Sequence, residues 1–302
     1  MELDTSCDSS NAAYLEDTFT IIQEMLTSTR EGLARLNSSL DTTREQLSPG
    51  DKAQLDLFMA LYGIFDPQEQ TAVETAKSQI ERVDWFAHQL NEALASDLLD
   101  ITIFCDDDHL EDVGLALDEN GEQQTDVEGR PELIYQSTVI ANMVDISMAG
   151  KCEENEGLRA FMQNTITNSR GECDMDVLTI CPLSWGEEGW SEHLAEYANK
   201  DIEEVNGEVL DEIISISAEV SILHELTHTV SFFTEAYVME DNQQLGGSDA
   251  YKWEGCFNLA QDSITQDSAL TNAETFAYFN AGLYLSQCNW RNGECQDPSE
   301  VD

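Results

Sequence analysis

Two of the five histidines in this chain stand four residues apart, in His224-Glu225-Leu226-Thr227-His228. On an α-helix, residues four apart project from the same face, one turn above each other, so both imidazoles can bind one metal ion. Two histidines leave a tetrahedral metal site incomplete, and the fold must return a further ligand to this helix. Glu225 would lie beside the open metal position, where a carboxylate can act as a general base.

The residues around this segment predict a long, buried helix. Ala218, Ile222 and Leu226 recur at helical spacing and form an apolar stripe. No proline or glycine occurs between Glu208 and Glu240, and Ser217 is suited to cap the helix. The sequence therefore predicts that both histidines lie on one continuous helix.

The third ligand is expected to be a carboxylate, because no histidine follows His228. The downstream candidates are Glu235, Glu240, Asp241, Asp249, Glu254, Asp262, Asp267 and Glu274. Glu235 lies seven residues beyond His228, nearly two turns along the same predicted helix, which is too far to bind the same ion. Asp249 follows Gly246-Gly247-Ser248, a turn that can fold the chain back onto the histidines. The residues alone leave the choice open.

Five segments resemble those of one known family, the deuterolysin-type aspzincins. These are secreted zinc endopeptidases that include the peptidyl-lysine metalloendopeptidases. The resemblance rests on His224–His228, on the glycine-led segment Gly247–Tyr251, and on Asn272–Phe279 near the C-terminus. Ile101–Cys105 and Val177–Pro182 also resemble the paired strand-cysteine segments of the family. The similarity spans about residues 80 to 290.

This resemblance implies a site. In the family, a Gly-Thr-x-Asp-x-x-Tyr-Gly segment supplies the third zinc ligand through its aspartate and supports the transition state through its tyrosine. The implied Zn²⁺ ligands are His224, His228 and Asp249, and the implied catalytic residues are Glu225 and Tyr251. Tyr251 stands two residues after Asp249, whereas the tyrosine of the family stands three residues after its aspartate, and the closing glycine is absent from its place.

These observations predict a zinc-dependent endopeptidase in which Glu225 deprotonates a metal-activated water. The resemblance adds a preference for basic residues near the cleaved bond. One alternative is a gluzincin-type peptidase with Glu274 as third ligand, although Glu274 is rather expected to orient another residue or to cap its helix. Further alternatives are a non-catalytic secreted protein with a degenerate protease fold, and a salt-adapted cytosolic metalloenzyme.

The charge of the chain restricts its partners. It has 61 acidic and 13 basic residues, giving a formal net charge of −48. Nucleic acids and anionic membrane surfaces would repel such a protein, and no apolar stretch is long enough to span a membrane. The expected partner is a protein or peptide substrate, and the chain is expected to be a monomer.

Eight cysteines, an even number without a C-x-x-C pair, predict up to four disulfides and a secreted protein. Closeness in sequence suggests the pairs Cys173–Cys181 and Cys288–Cys295. The first residues lack the basic and apolar regions of a signal peptide, so secretion would require a leader that is absent from this sequence.

The overall pattern predicts an α+β, zincin-like fold. Apolar stripes predict helices over residues 12–97, and Asp106–Arg130 reads as an exposed acidic loop. The predicted strands are residues 99–105, 132–141 and 177–181. The chain becomes helical again from Glu187 and ends in a helix at Asn272–Leu285. We therefore expect a helical N-terminal region at 1–97, either integral or propeptide-like. It would precede a catalytic domain at 98–302 whose edge strand pairs with the substrate.

Overall fold

The computed structural model shows an α+β fold, as the sequence predicts. It describes residues 1–63, 70–117, 120–125, 131, 133–140, 144–147, 152, 157–166, 173–186, 189–233 and 237–300. The chain divides into two compact units. We call Met1–Leu15, Leu98–Gly189 and Thr229–Val238 the sheet unit. The helical unit comprises Glu16–Asp97, Trp190–His228 and Met239–Asp302.

The sheet unit contains two small sheets. Its strands are β1 (Glu2–Leu3), β2 (Ile101–Phe104), β3 (Leu110–Leu115), β4 (Leu133–Ser137), β5 (Val144–Ser147), β6 (Ala160–Ile166) and β7 (Cys173–Ile180). The first sheet has the order β1-β2-β7-β6, in which β1, β2 and β7 are parallel and β6 is antiparallel to β7. The second sheet is antiparallel, with the order β3-β4-β5. Three of these strands, β2, β4 and β7, confirm the predicted ones.

Strand β3 corrects the prediction of a loop over Asp106–Arg130. Leu110 is buried in an apolar cluster with Phe104, Tyr135 and Val177, whereas most of the other β3 residues are exposed. The strand lies at an edge of its sheet and is held by pairing with β4. An edge strand that is mostly exposed shows no apolar alternation, so its sequence resembles that of an acidic loop.

Ten helices are described. In chain order they are α1 (Ser9–Ser39), α2 (Pro49–Tyr62), α3 (Gln70–Ala95), α4 (Leu194–Ala198), α5 (Ile202–Val205), α6 (Leu210–Ser215), α7 (Ala218–Leu226), α8 (Val230–Phe233), α9 (Lys252–Gln261) and α10 (Ala273–Tyr284). The predicted helical content of residues 12–97 and the predicted C-terminal helix are both confirmed. Short 3₁₀ turns occur at Arg44–Gln46, Pro182–Trp185 and Gln266–Thr271.

Helix α10 is the centre of the helical unit. Phe279 lies edge-on to Phe58 of α2 with ring centroids 6.0 Å apart, and Phe276 contacts Phe86 of α3 at 5.1 Å. In the same core, the Thr29 hydroxyl of α1 donates to the Asn280 side chain at 2.6 Å. The helices of residues 16–97 are therefore an integral part of this unit. Residues 16–97 belong to the same unit as the later helices, whereas Leu98–Gly189 belong to the sheet unit.

Three disulfides stabilise the chain. They join Cys7 to Cys105, Cys152 to Cys181, and Cys288 to Cys295. The predicted Cys288–Cys295 pair is confirmed, but Cys181 pairs with Cys152 and the predicted Cys173–Cys181 pair is wrong. Cys173 begins β7 and Cys181 follows its last residue. An extended strand rises about 3.3 Å per residue, so the two Cα atoms are roughly 26 Å apart, whereas a disulfide needs less than about 7 Å.

The disulfides fit an extracellular protein, because such bonds persist in oxidising compartments. Within the described ranges, none of the helices combines the length and the apolar content needed to cross a membrane.

The long helix predicted from Glu208 to Glu240 is wrong as one element, because the structure divides it into α6, α7 and α8. Ser217 stands at the N-cap of α7, as predicted, but its hydroxyl donates back to the Ile214 carbonyl at 3.4 Å and caps no amide of α7. The break brings α7 into the core as a short helix whose last turn carries His224, with His228 just beyond its end.

Candidate metal centre

His224 lies on the last turn of α7 and is almost fully buried. Its Nδ1 is 2.9 Å from Oε2 of Glu274 on α10. An ionised carboxylate only accepts hydrogen bonds, so the imidazole proton lies on Nδ1. Its Nε2 atom faces the Asp241 carboxylate at 3.2 Å. Without a metal this nitrogen also carries a proton, and a metal ion would displace that proton to bind the Nε2 lone pair.

His228 lies just beyond the end of α7. The helix closes in a tight turn in which the His228 amide donates to the Glu225 carbonyl at 3.0 Å. The His228 Nδ1 is 2.9 Å from the carbonyl oxygen of Met239, which cannot donate, so this ring also carries its proton on Nδ1. Its Nε2 lies 3.3 Å from Nε2 of His224. The two Nε2 atoms therefore converge on one point, where a metal ion could bind both once the proton on His224 is displaced.

Asp241 is brought to this point by the backbone on its N-terminal side. The Met239 amide donates to the Thr227 carbonyl at 3.1 Å, next to the second histidine. Glu240 then forms a parallel bridge with the chain before α10, donating to the carbonyl of residue 271 and accepting from the amide of residue 273. These bonds fix the chain on one side of Asp241 to both helices that carry the site.

Asn272, the buried N-cap residue of α10, fixes the chain on the other side. Its Oδ1 accepts from the Asn242 amide at 2.9 Å. Its Nδ2 donates to the Ala250 carbonyl at 3.4 Å and to the Thr275 hydroxyl at 3.0 Å. The buried Asn272 side chain therefore holds both Asn242, the neighbour of Asp241, and Ala250, at the end of the loop that follows.

The three ligand atoms have the spacing of a metal site. The Nε2 atoms of His224 and His228 are 3.3 Å apart, and they lie 3.2 Å and 3.7 Å from the carboxylate oxygens of Asp241. Ligands bound to zinc at about 2.05 Å with tetrahedral angles are separated by about 3.3 Å. The side chains of His224 and Asp241 are 8% and 38% exposed, so the centre opens to solvent on the aspartate side. The His224–His228–Asp241 group can therefore bind a metal ion.

The electrostatics of the site favour a cation. Burial lowers the pKa of His228 to about 4, so this ring is neutral and ready to ligate at neutral pH. Burial also opposes protonation of His224, but hydrogen bonds with Asp241 and Glu274 outweigh it and raise its pKa well above the ordinary value. The His224 interactions in turn outweigh burial at Asp241 and lower the pKa of that carboxyl. A metal cation satisfies the same carboxylate and would compete with the proton on His224.

Two further side chains lie beside the centre. The Glu225 carboxylate is 4.0 Å from Nε2 of His224, and its side chain is 13% exposed. The Tyr251 hydroxyl is hydrogen-bonded to Asp241, and its ring centroid is 6.0 Å from that of His224. Burial, followed by the charge of Asp241, raises the pKa of Tyr251, so its hydroxyl is a proton donor at neutral pH.

The structure brings Asp241 to the histidines, whereas Asp249 stays at an exposed turn. The antiparallel bridge between Gln243 and Asp249 closes a hairpin, in which Gly246 and Gly247 take the left-handed backbone. Asp249 accepts a hydrogen bond from the Gln243 side chain at 3.4 Å. The glycine turn does fold the chain back, but onto residue 243. Among the described residues, the group close enough to share a metal contains Asp241 and not Asp249.

Glu274 contacts His224 through Nδ1, the nitrogen that does not face the centre. The other carboxylate oxygen of Glu274 accepts a hydrogen bond from the Lys252 amide at 3.0 Å. Both oxygens of Glu274 are therefore already hydrogen-bonded. Its geometry is that of an orienting residue that fixes the tautomer and the ring plane of a metal-ligating histidine. Glu235, another candidate from the sequence, lies outside the described residues.

No model of a known protein family matches this chain, and no curated protein matches it. The similarity to the aspzincins therefore stays a prediction from motifs.

Proposed function

We propose that this protein is a zinc-dependent endopeptidase. The observation that carries the proposal is the convergence of two Nε2 atoms and one carboxylate within 3.2 to 3.7 Å of one another, with Glu225 beside them. Two neutral imidazoles and one carboxylate form a donor set typical of catalytic zinc, which leaves one position open. His224, His228 and Asp241 would hold the ion.

A zinc ion held there would lower the pKa of a bound water and polarise a substrate carbonyl. Glu225 is placed to accept the proton of that water and to pass it to the leaving amine. The Tyr251 hydroxyl, held in its protonated form, can donate a hydrogen bond to the oxygen of the attacked carbonyl, an interaction worth about 3 kcal/mol in such sites. Glu274 keeps the His224 ring in place while this occurs.

The electrostatic surroundings favour a substrate with basic side chains. Asp249 is exposed, yet its charge acts on Tyr251, so it lies at the rim of the site without belonging to the ligand group. The net charge of −48 adds long-range attraction for cationic segments. We therefore propose a protein or peptide substrate that is cleaved next to lysine or arginine, by a monomer acting outside the cell.

The test is hydrolysis of denatured casein at neutral pH by the wild-type protein and the Glu225→Gln variant. We expect the variant to lose at least about 100-fold in rate, because a general base contributes about 10²- to 10⁴-fold. Zinc content, measured by atomic absorption, should be unchanged. Glu254→Gln, an exposed carboxylate on α9, is the matched control and should retain full activity. A chelator should abolish cleavage and added zinc should restore it.

The outcomes separate this proposal from its main alternative. Cleavage that persists in Glu225→Gln or in the chelated protein would rule out the proposed mechanism. Bound zinc without any cleavage would identify a non-catalytic metal-binding protein. Peptide products identified by mass spectrometry would test the basic preference, which fails if lysine and arginine are not enriched at the cleaved bonds.

A further inference from the structure

The helical unit contains a cavity that shares no residue with the metal centre. It has a volume of about 400 Å³ and lies between α2, the C-terminal half of α9 and the loops that follow α1 and α10. Its apolar wall consists of Leu40, Leu55, Met59, Ala60 and Phe257. Cavities that bind small molecules have volumes of about 300 to 1,000 Å³ and are lined mainly by apolar side chains. The size and the wall therefore suit a small organic molecule.

The charges at the cavity have the opposite sign to the rest of the protein. Arg44 and Asp56 form a bidentate ion pair at 2.7 and 2.9 Å, and Asn289 donates a further hydrogen bond to Asp56. The carboxylate of Asp56 is thus neutralised. Arg291 is exposed at the cavity and makes no ion pair with any part of the chain that the structure describes. One guanidinium charge remains uncompensated here, in a chain with 61 acidic and 13 basic residues.

We propose that this cavity binds an amphipathic monocarboxylate. Its aliphatic or aromatic body would lie against Leu55, Met59 and Phe257, and its carboxylate would pair with Arg291. A guanidinium binds a carboxylate through two parallel hydrogen bonds, which fixes the orientation of the ligand. A cationic ligand would meet no free carboxylate here, because Asp56 is already paired. A neutral apolar ligand would leave the arginine without a partner as it lost water.

The test is isothermal titration calorimetry of the full chain with decanoate, below the concentration at which it forms micelles. Decanol has the same hydrocarbon tail without the charge, and acetate has the carboxylate charge without the long tail. We expect decanoate to bind at least tenfold more tightly than either. All titrations are repeated after chelation, so that a carboxylate bound to metal at the other site is not counted. The proposal does not depend on peptidase activity.

Three variants locate the binding. Arg291→Gln should weaken decanoate binding at least tenfold, and Met59→Trp, which fills the cavity, should abolish it. Arg82→Gln removes an exposed arginine from α3, outside the cavity, and should change the affinity less than twofold. Thermal unfolding verifies that each variant is folded, and Asn292→Trp, at the exposed mouth, replaces Met59→Trp if that variant does not fold.

Unchanged decanoate binding in Arg291→Gln would overturn the proposal, as would equal binding of decanol. Absence of decanoate binding to the wild-type chain, or its loss on chelation, would overturn it as well. Binding that survives chelation and is lost in both Arg291→Gln and the cavity-filling variant would establish the site.

Discussion

At the scale of single residues, the protons on the Nδ1 atoms of His224 and His228 determine that Nε2 is the nitrogen each ring turns toward the candidate metal centre. Glu274 and the Met239 carbonyl each accept from an Nδ1 atom, which leaves the Nε2 atoms of His224 and His228 turned toward each other. Two lone pairs 3.3 Å apart, next to a carboxylate, repel unless a proton or a metal cation lies between them. The residues behind the histidines would therefore contribute to metal binding together with the histidines themselves.

The identity of the third ligand gives a prediction at this scale. Asp241→Ala removes a ligand and should weaken zinc binding by at least about 100-fold, since even the outer partners of metal ligands are worth about 10- to 100-fold. Asp249→Ala removes an equal charge from the exposed hairpin and should change the affinity by less than about threefold, as screened surface charges do. Competition with a chromophoric zinc chelator measures both constants.

The reverse ranking, with Asp249→Ala the more damaging variant, would restore the assignment made from the family motif. Equal losses of zinc affinity in both variants would mean that the Asp249 hairpin and the metal centre act as one unit. That result would contradict the separate hydrogen bonds that hold Asp241 and Asp249.

At the scale of the element, α7 is anchored at its first turn by a buried acid. Glu219 is fully buried, and its carboxylate is 2.6 Å from Nδ1 of His193 and accepts from the Leu194 amide at 3.3 Å. A negative charge in the first turn also interacts favourably with the helix dipole. His224 lies at the other end of this helix and His228 just beyond it, so the ion pair holds the helix that leads into the candidate metal centre against α4.

This anchor predicts a pH dependence of stability. The hydrogen bond with Glu219, followed by its charge, raises the pKa of His193 above its ordinary value of 6.5. A raised folded-state pKa contributes stability that is fully present below about pH 6.5 and is lost as the pH rises through the folded value. His193→Gln should therefore lower the free energy of unfolding by about 1 kcal/mol more at pH 6 than at pH 9.

Urea unfolding at several pH values between 6 and 9 measures this difference. Glu219→Gln removes the other partner and should abolish the same pH dependence. Wild-type and His193→Gln curves that run parallel over the whole range would show that the pair contributes nothing that depends on protonation.

At the scale of the whole molecule, the helical unit is assembled from three distant stretches of chain around α10. Aromatic contacts and a buried hydrogen bond join residues of 16–97 to α10 across roughly two hundred positions. Removing 1–97 would expose Phe276 and Phe279 to water. This arrangement argues for an N-terminal region that remains in the mature protein.

The cysteines allow a prediction about the whole chain. Eight cysteines less the six in three disulfides leave two, of which Cys256 is buried and free. Burial raises the pKa of the Cys256 thiol, so it should react only after unfolding. Titration with a chromogenic thiol reagent in denaturant, without reductant, should detect two thiols, and eight after reduction. Six or more thiols before reduction would indicate a reduced, intracellular protein.

Local sequence determined the features that depend on neighbouring residues. The helices of 12–97, the C-terminal helix from Asn272 and the strands around 101–104 and 177–180 follow from local runs of apolar residues, because each element buries its own apolar side chains. The histidine pair and the Cys288–Cys295 disulfide also lie within a few residues of chain. For the same reason, Asp241 could not be distinguished from the other downstream carboxylates that were candidates for the third ligand.

Only the tertiary structure decided which carboxylate meets the histidines. Asp241 is in place because its neighbours bond to residues 227 and 271–273, which lie 12 or more positions away along the chain. Tertiary structure also decided where α7 ends and that Cys152 pairs with Cys181. It likewise decided that β3 is a strand, because β3 is held by pairing with β4. Such contacts require loop closure between residues far apart in the chain, and several use backbone groups that every residue carries, so the local pattern of side chains does not specify them.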